Sequence, residues 1–131
     1  MARVLFVDDD PFTLETLTRA VELLGHQALI ANTGREGIML AAQELPDLIF
    51  SDLCLSDMDG LQLVRQIKGS PLSGHIPVLI LSASPELEAL SSAIAAGADA
   101  YLDKPVRLQA LLEVIERYTG AASPTDPQSP A

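Results

Sequence analysis

Charged and hydroxyl side chains directly follow short apolar runs at four places in the sequence. Asp8 and Asp9 come after the first run, and Asp52 comes after the third. Ser82 ends the fourth run, and Lys104 follows the fifth. If these runs form an open parallel sheet in which the first and third strands are neighbours, their carboxyl ends share one edge. We therefore expect these five side chains to converge there.

A cluster of this composition indicates a particular chemistry. Crowded carboxylates repel one another, so some stay protonated unless a counter-charge is present. Mg²⁺ supplies such a charge, because it prefers oxygen ligands and commonly pairs one or two carboxylates with a phosphoryl group. A lysine ammonium and a serine hydroxyl are complementary to phosphoryl oxygens. One carboxylate as nucleophile and two as metal ligands indicate acyl-phosphate chemistry.

The elements that must position these residues alternate along the chain. Short apolar runs, typical of strands buried on both faces, are found at 4–7, 28–31, 48–50, 76–81 and 100–102. Apolar residues at helical spacing occupy 14–24, 38–45, 61–67, 87–95 and 108–115. Each helical stretch is followed by glycine or proline, which favour helix ends. The alternation predicts a single α/β domain with a parallel sheet covered on both faces.

Composition excludes several classes of protein. The chain has 131 residues, of which 48% are apolar, so it is predicted to be one folded domain and not a disordered segment. The single cysteine excludes an internal disulfide framework and favours a reducing compartment. The formal charge of −10, with only eight Lys and Arg, argues against direct binding to nucleic acid.

The chain ends are also informative. The first apolar run stops at three aspartates, so no signal peptide is expected, and no apolar stretch approaches the ~18 residues of a membrane span. We therefore expect a cytoplasmic protein that does not bind membranes. Residues 1–119 are predicted to form the domain. Residues 120–131 are predicted to be a flexible tail or linker, because their three prolines and small polar residues cannot extend the last helix.

Five segments together resemble the response-regulator receiver domain of two-component signalling, over residues 3 to 118. They lie at 4–11 (VLFVDDDP), 46–53 (PDLIFSDL), 57–60 (DMDG), 81–83 (LSA) and 97–105 (GADAYLDKP). Each segment alone is a weak signal, but all five occur in order at or just after a strand end. The resemblance implies a doubly wound, flavodoxin-like (βα)5 domain with sheet order 2-1-3-4-5.

The resemblance also implies roles for the clustered residues. Asp52 would receive a phosphoryl group from a histidine kinase or a phosphotransfer protein. Asp9 would bind Mg²⁺ directly, Asp8 largely through water, and Asp52 and the backbone carbonyl of Cys54 would complete the protein's ligands. Lys104 would pair with the phosphate, aimed into the pocket by a cis peptide bond to Pro105. The domain would act only on its own phosphorylation and dephosphorylation.

A conformational switch is implied in the same way. Ser82 would bond a phosphoryl oxygen, and Tyr101 would turn inward into the space that opens behind it. This changes the surface formed by the fourth helix, fifth strand and fifth helix, which would bind a downstream effector or a second copy. The sequence leaves open the cognate kinase and whether the domain belongs to a longer regulator.

The sequence departs from the family at one position, since Ser56 stands where the family usually has proline. A loop without that fixed φ is less rigid, which puts the path of the loop in question. Cys54 and Ser84 occupy positions whose side chains tune phosphate lifetime in the family, but the sequence does not give that lifetime.

Structural roles are the alternatives at several positions. Asp10, before Pro11, is predicted to be a helix N-cap, and Asp57 and Asp59 are predicted to be loop and N-cap residues of the third helix. A salt bridge to Lys104 is the structural alternative for Asp52. His26 and His75 lie away from the acidic strand ends and are predicted to be structural.

Two other functions remain open from the sequence. One is a haloacid-dehalogenase-like phosphatase with Asp8 and Asp10 as nucleophile and acid, Ser82 as its second motif, and Asp99 with Asp103 as its metal pair. The order of Lys104 relative to the acidic pair, and the lack of a role for Asp52, argue against it. The other is a receiver-shaped scaffold that does not use phosphate.

Overall fold

The computed structural model describes residues 1–83 and 87–120, and only the backbone for 87–90. Five strands and five helices alternate along the described chain. The strands are β1 (Arg3–Val7), β2 (Gln27–Ala31), β3 (Leu48–Asp52), β4 (Val78–Ser82) and β5 (Ala100–Asp103). The helices are α1 (Pro11–Leu23), α2 (Gly34–Glu44), α3 (Gly60–Gly69), α4 (Leu87–Ala96) and α5 (Leu108–Thr119). The alternation agrees with the prediction from hydrophobic spacing.

All the strands pair in parallel, in the order β2-β1-β3-β4-β5. This confirms the doubly wound, flavodoxin-like sheet. From β1 the chain passes first to β2 on one side and then to β3 on the other, so the winding direction reverses between β1 and β3. In sheets of this kind a crevice forms outside the carboxyl ends of the strands at that point.

Two apolar layers cover the sheet. One joins α1 and α5 to the sheet and contains Phe6 and Phe50, whose rings stack with centroids 5.3 Å apart. The other joins α2, α3 and α4 to the opposite face. The inner strands β1, β3 and β4 are therefore apolar on both sides, which explains their continuous hydrophobic runs.

The limits of β4 and of α2 depend on proline. The apolar run begins at Ile76, but β4 begins at Val78, because Pro77 has no N–H to donate to a neighbouring strand. Helix α2 ends at Glu44, and Leu45, just before Pro46, has a left-handed backbone (φ 47°). A residue that precedes proline avoids the helical conformation, which explains this ending.

Three described helices begin at a side-chain cap. Asp10 accepts a bond from the Phe12 N–H (3.1 Å) and from the Thr13 hydroxyl (2.7 Å), as predicted for α1. Thr33 caps α2, and Asp59 caps α3 by accepting from the Gln62 N–H at 2.7 Å. These caps satisfy amides that have no partner inside the helix. They also set where each helix starts relative to the strand before it.

Two predicted features fall wholly or partly outside the described residues. Gly120 caps the end of α5 with a left-handed backbone (φ 72°), and the rest of the predicted tail, 121–131, lies outside them. Ser84 also lies outside them. Among the described residues, no helix has the length and apolar character needed to cross a membrane.

Candidate functional site

The sheet register brings the predicted residues to one edge. Asp8 directly follows β1, and Asp52 is the last residue of β3, the strand next to β1. Ser82 ends β4 and lies opposite Asp103 of β5, after which comes Lys104. The residues therefore meet because four neighbouring strands end at the same level. This is the convergence that the sequence predicted.

Three carboxylates form the centre of the cluster. Asp8, Asp9 and Asp52 each offer an oxygen, and these oxygens lie within 4.8 Å of one another. Their surroundings differ: Asp8 is 1% exposed, Asp52 is partly buried and Asp9 is exposed. One carboxylate is thus held inside the protein, while the other two are open to a ligand from solvent.

Lys104 connects two of these carboxylates. Its Nζ lies 2.7 Å from Oδ2 of Asp8 and 3.4 Å from Oδ1 of Asp52. The second oxygen of Asp8 accepts a bond from the Asp10 N–H at 2.9 Å, so both oxygens of this buried group have donors. The shorter contact shows that the primary partner of Lys104 is Asp8, whereas Asp52 is held more loosely.

The surroundings change the proton affinity of both partners. Burial raises the pKa of the Asp52 carboxyl, and the nearby Asp8 charge acts in the same direction, while Lys104 and the Leu53 N–H oppose them. Burial alone would lower the pKa of Lys104, but its bond to Asp8 and the charges of Asp8 and Asp52 raise it. Lys104 therefore remains an ammonium, and Asp52 holds a proton more readily than an exposed aspartate.

The charge balance of the cluster suits a divalent cation. One ammonium faces three carboxylates, which leaves two negative charges uncompensated when all three are ionised. The donors are hard oxygens, the ligand type that Mg²⁺ prefers, and Asp9 and Asp52 are accessible. The residues present therefore fit a magnesium ion.

The β3–α3 loop, residues 53–59, borders the cluster and follows a well-defined path. Its two ends meet in an antiparallel bridge between Cys54 and Asp59, and the Leu55 N–H donates to the Met58 carbonyl at 3.1 Å. The Gly60 N–H donates to the Leu53 carbonyl at 2.7 Å. These contacts define the base of the loop, and Ser56, where the family usually has proline, lies at its tip.

Asp57, in the β3–α3 loop, contacts the start of another helix. Its carboxylate accepts bonds from the N–H groups of Gly34 (2.8 Å) and Arg35 (3.0 Å), at the start of α2. These two bonds lower the pKa of Asp57 below its ordinary value. Asp57 is therefore a loop residue and Asp59 the N-cap of α3, as predicted, and the sequence did not show that the loop residue is anchored to α2. No local spacing could have found this contact, because 23 residues separate Asp57 from Gly34.

The predicted switch residues lie on the neighbouring strands. Ser82 is 5% exposed, and its backbone carbonyl accepts a bond from the Lys104 N–H at 2.9 Å. Tyr101 is half-buried on β5, where it packs against the α2–α4 layer and, with Ile94 and Ala95, borders a shallow depression. The Lys104–Pro105 peptide bond is cis, as the resemblance implied.

Other candidate residues lie away from the cluster. Asp99 precedes β5 at the amino edge of the sheet, where it pairs with Lys68 (2.9 Å) and accepts from the Val78 N–H. It is therefore on the opposite edge from Asp8, which removes the metal pair that the phosphatase alternative requires. His26 is buried and accepts a bond from the Ala2 N–H at 2.9 Å, which fits the predicted structural role, whereas His75 is exposed.

Two curated relatives illustrate the similarity of the chain to known proteins. Protein PilH of Pseudomonas aeruginosa is 37% identical over 115 residues, which are 88% of this chain and 95% of PilH. Response regulator MprA of Mycolicibacterium vanbaalenii is 33% identical over 124 residues, which are 95% of this chain but 53% of MprA. The chain thus spans nearly all of PilH but about half the length of MprA.

Solved structures give the same result. The chemotaxis protein CheY4 of Vibrio cholerae has a TM-score of 0.85 at 28% identity, covering 90% of this chain and 98% of that chain. A CheY-like receiver domain protein of Methanospirillum hungatei has a TM-score of 0.83 at 32% identity, covering 92% and 94%. A third structure, of the receiver domain of the sensor histidine kinase PA1611 of P. aeruginosa, contains a magnesium ion in its active-site cleft. It shares the fold with a TM-score of 0.84 at 23% identity, covering 92% of this chain and 98% of that chain.

A family model gives the extent of the match. The model of the response regulator receiver domain covers residues 4–116, from the second residue of β1 to near the end of α5. This range includes the acidic cluster, the β3–α3 loop and Lys104. The chain therefore belongs to the response regulator receiver domain family.

Proposed function

We propose that the chain is a phospho-acceptor switch in a two-component phosphorelay, with Asp52 as the acceptor. The observation that carries the proposal is the arrangement around Asp52. A partly buried carboxylate at the end of β3 lies 3.4 Å from the Lys104 ammonium and within 4.8 Å of two further carboxylates. The donor would be a phosphohistidine on a histidine kinase or a phosphotransfer protein.

Phosphoryl transfer to Asp52 forms one bond and breaks another. An oxygen of Asp52 attacks the phosphorus atom, forming a P–O bond while the P–N bond to the donor histidine breaks. The electron pair of the broken bond stays on the imidazole nitrogen, which takes a proton from solvent. Hydrolysis reverses the state of the domain: water attacks the phosphorus, inorganic phosphate leaves, and the Asp52 carboxylate is restored. One phosphoryl group is held per chain, so the domain is a switch and not a turnover enzyme.

The residues around Asp52 have separable tasks. Lys104 neutralises charge on the phosphoryl oxygens, and the Ser82 hydroxyl binds one of them. Asp8, Asp9, Asp52 and the backbone carbonyl of Cys54 hold magnesium, as the oxygen donors and the charge balance of the cluster favour. The bound ion supplies further charge neutralisation at the phosphoryl group.

Phosphorylation then changes a surface. When the Ser82 hydroxyl is drawn to the phosphoryl group, the Tyr101 ring moves from its half-buried position into the space behind Ser82. This shifts the population between two conformations of the surface formed by α4, β5 and α5, where an effector or a second copy binds. We propose that the output lies either in a further domain, since the chain spans about half of MprA, or in a separate protein, since it spans nearly all of PilH, and that the switch acts in the cytoplasm.

The test uses acetyl phosphate as a small phosphoryl donor. The protein is incubated with acetyl phosphate and Mg²⁺, and its intact mass is measured. We expect one phosphoryl adduct, which Asp52→Asn abolishes. Asp103→Asn is the matched control, because this exposed aspartate ends strand β5 at the same edge of the sheet, two strands from β3, and should leave the adduct unchanged.

Two outcomes would contradict the proposal. An adduct that survives Asp52→Asn would place the acceptor elsewhere. A wild-type chain that takes no phosphoryl group under any Mg²⁺ concentration would favour a scaffold that does not use phosphate.

A further inference from the structure

The β3–α3 loop is a short closed turn whose tip contacts the start of α2. The Cys54–Asp59 bridge and the bond from the Leu55 N–H to the Met58 carbonyl close it as a small hairpin. Ser56 and Asp57 form the tip. The base of the turn begins directly after Asp52 and contains the Cys54 carbonyl, so any displacement of the turn moves groups of the proposed phosphoryl site.

The tip is anchored to a different element of the fold. The Asp57 carboxylate accepts bonds from the first two amides of α2, those of Gly34 (2.8 Å) and Arg35 (3.0 Å). Met58 packs beside them, so closely that a Cβ atom on Gly34 would lie 2.5 Å from Cγ of Met58. A two-point contact, one polar and one apolar, therefore joins the turn to the start of α2.

The turn itself supplies little stiffness at its tip. Ser56 keeps the φ freedom that a proline ring would remove. The Ser56 N–H donates no bond to another described residue. The φ angle of Ser56 is negative, because among the described non-glycine residues only Leu45 has a positive φ. The position of the turn therefore depends on the contact with α2 more than on the backbone of the tip.

We infer that Asp57 is a positioning residue, which holds the β3–α3 turn against α2 and thereby places the Cys54 carbonyl for Mg²⁺ binding. Asp57 contacts neither the metal nor the phosphoryl group. It acts through the backbone of the turn, and its bonds to α2 hold the turn in place as a proline at position 56 would do by stiffening it. The inference rests on the proposed function, since it concerns the metal site of the same cluster.

The expected effect is a loss of metal affinity. Removing a residue that orients a metal ligand commonly weakens binding by about 10–100-fold. Asp57 positions one backbone ligand among several, so we expect the low end of this range, roughly a tenfold higher Kd for Mg²⁺ in Asp57→Ala. The amides of Gly34 and Arg35, which lose their acceptor, should exchange with solvent faster.

The experiment measures Mg²⁺ binding by titration calorimetry in the unphosphorylated protein, and amide exchange by NMR. The matched control is Asp47→Ala, because this exposed aspartate also accepts a backbone bond, from the Arg3 N–H at 2.8 Å, but at the opposite edge of the sheet. It should lower stability to a similar extent and leave the Kd unchanged. Gly34→Ala disturbs the contact from the α2 side and should weaken Mg²⁺ binding as Asp57→Ala does.

A rescue separates positioning from charge. Adding Ser56→Pro to Asp57→Ala stiffens the turn without restoring the carboxylate, so we expect it to recover most of the lost affinity. Weakened binding that Ser56→Pro leaves uncorrected would assign the effect to the lost charge and overturn the positioning role. Unchanged affinity in Asp57→Ala, with a wild-type chain that binds Mg²⁺ and takes a phosphoryl group, would overturn this inference alone. A wild-type chain that does neither would overturn the proposed function as well.

Discussion

Lys104 is the residue whose removal should reveal the energetics of the acidic cluster most directly. In the variant Lys104→Met, the chain keeps a side chain of similar length but loses the ammonium. Asp8, with 2% of its side chain exposed, then retains only the bond from the Asp10 N–H. A buried carboxylate with its cation removed must either remain charged without compensation or take up a proton.

The magnitude follows from the contact distances. At an effective dielectric of about 20, unit charges 2.7 Å apart attract by about 6 kcal/mol, and dehydration of the ammonium offsets part of this. Removing one partner of a buried pair commonly costs about 3–5 kcal/mol. Lys104 is 20% exposed and Asp8 keeps one donor, so we expect a loss of about 3 kcal/mol in the free energy of unfolding at pH 7.

The assay is urea unfolding at pH 7 in EDTA, followed by far-ultraviolet circular dichroism, because the chain has no tryptophan. The double variant Asp8→Asn/Lys104→Met should recover much of the loss, since the asparagine is neutral and needs no cation. Saturating Mg²⁺ should also narrow the difference between Lys104→Met and the wild type, because a bound cation replaces the missing charge. If Lys104→Met is as stable as the wild type, or if Asp8→Asn makes it less stable, the charge argument fails.

Two further predictions concern stability and the loop. Burial lowers the pKa of His26, so the folded chain binds fewer protons at this residue than the unfolded chain. The free energy of unfolding is therefore at its full value above the unfolded pKa of about 6.5 and decreases as pH falls through the folded pKa. The slope is at most about 1.4 kcal/mol per pH unit. His26→Asn keeps an acceptor for the Ala2 N–H and should flatten this dependence in urea unfolding between pH 8 and 5.5; equal slopes would refute the role of burial. Gly60→Ala should cost about 1–3 kcal/mol and slow phosphorylation by acetyl phosphate, because its Cβ would lie 2.7 Å from the Asp52 carbonyl oxygen. Gly69→Ala, which has open space, should be neutral or stabilising, and equal losses in both would contradict the steric explanation.

The sequence by itself determined the class of fold and the composition of the site. The spacing of apolar residues distinguishes the two kinds of element. A strand buried on both faces is a short continuous apolar run, whereas a helix buried on one face has apolar residues three and four positions apart. Parallel strands must end at a common edge, so Asp8, Asp52, Ser82 and Lys104 could be assigned to one cluster from their positions after apolar runs. The N-cap role of Asp10 was also predictable, since a cap acts within one turn of chain.

The tertiary structure decided which groups of the cluster contact each other. Lys104 lies nearer to Asp8 than to Asp52, a difference that depends on how far β1 and β3 extend and on the burial of each carboxylate. The partner of Asp57 is the start of α2, because α2 and α3 pack on the same face of the sheet and bring the β3–α3 turn beside it. Contacts of this kind join segments more than twenty residues apart, and their geometry is set by the packing of whole elements. Local sequence patterns do not predict how whole elements pack together, and the placement of the loop beside Asp52 depends on that packing.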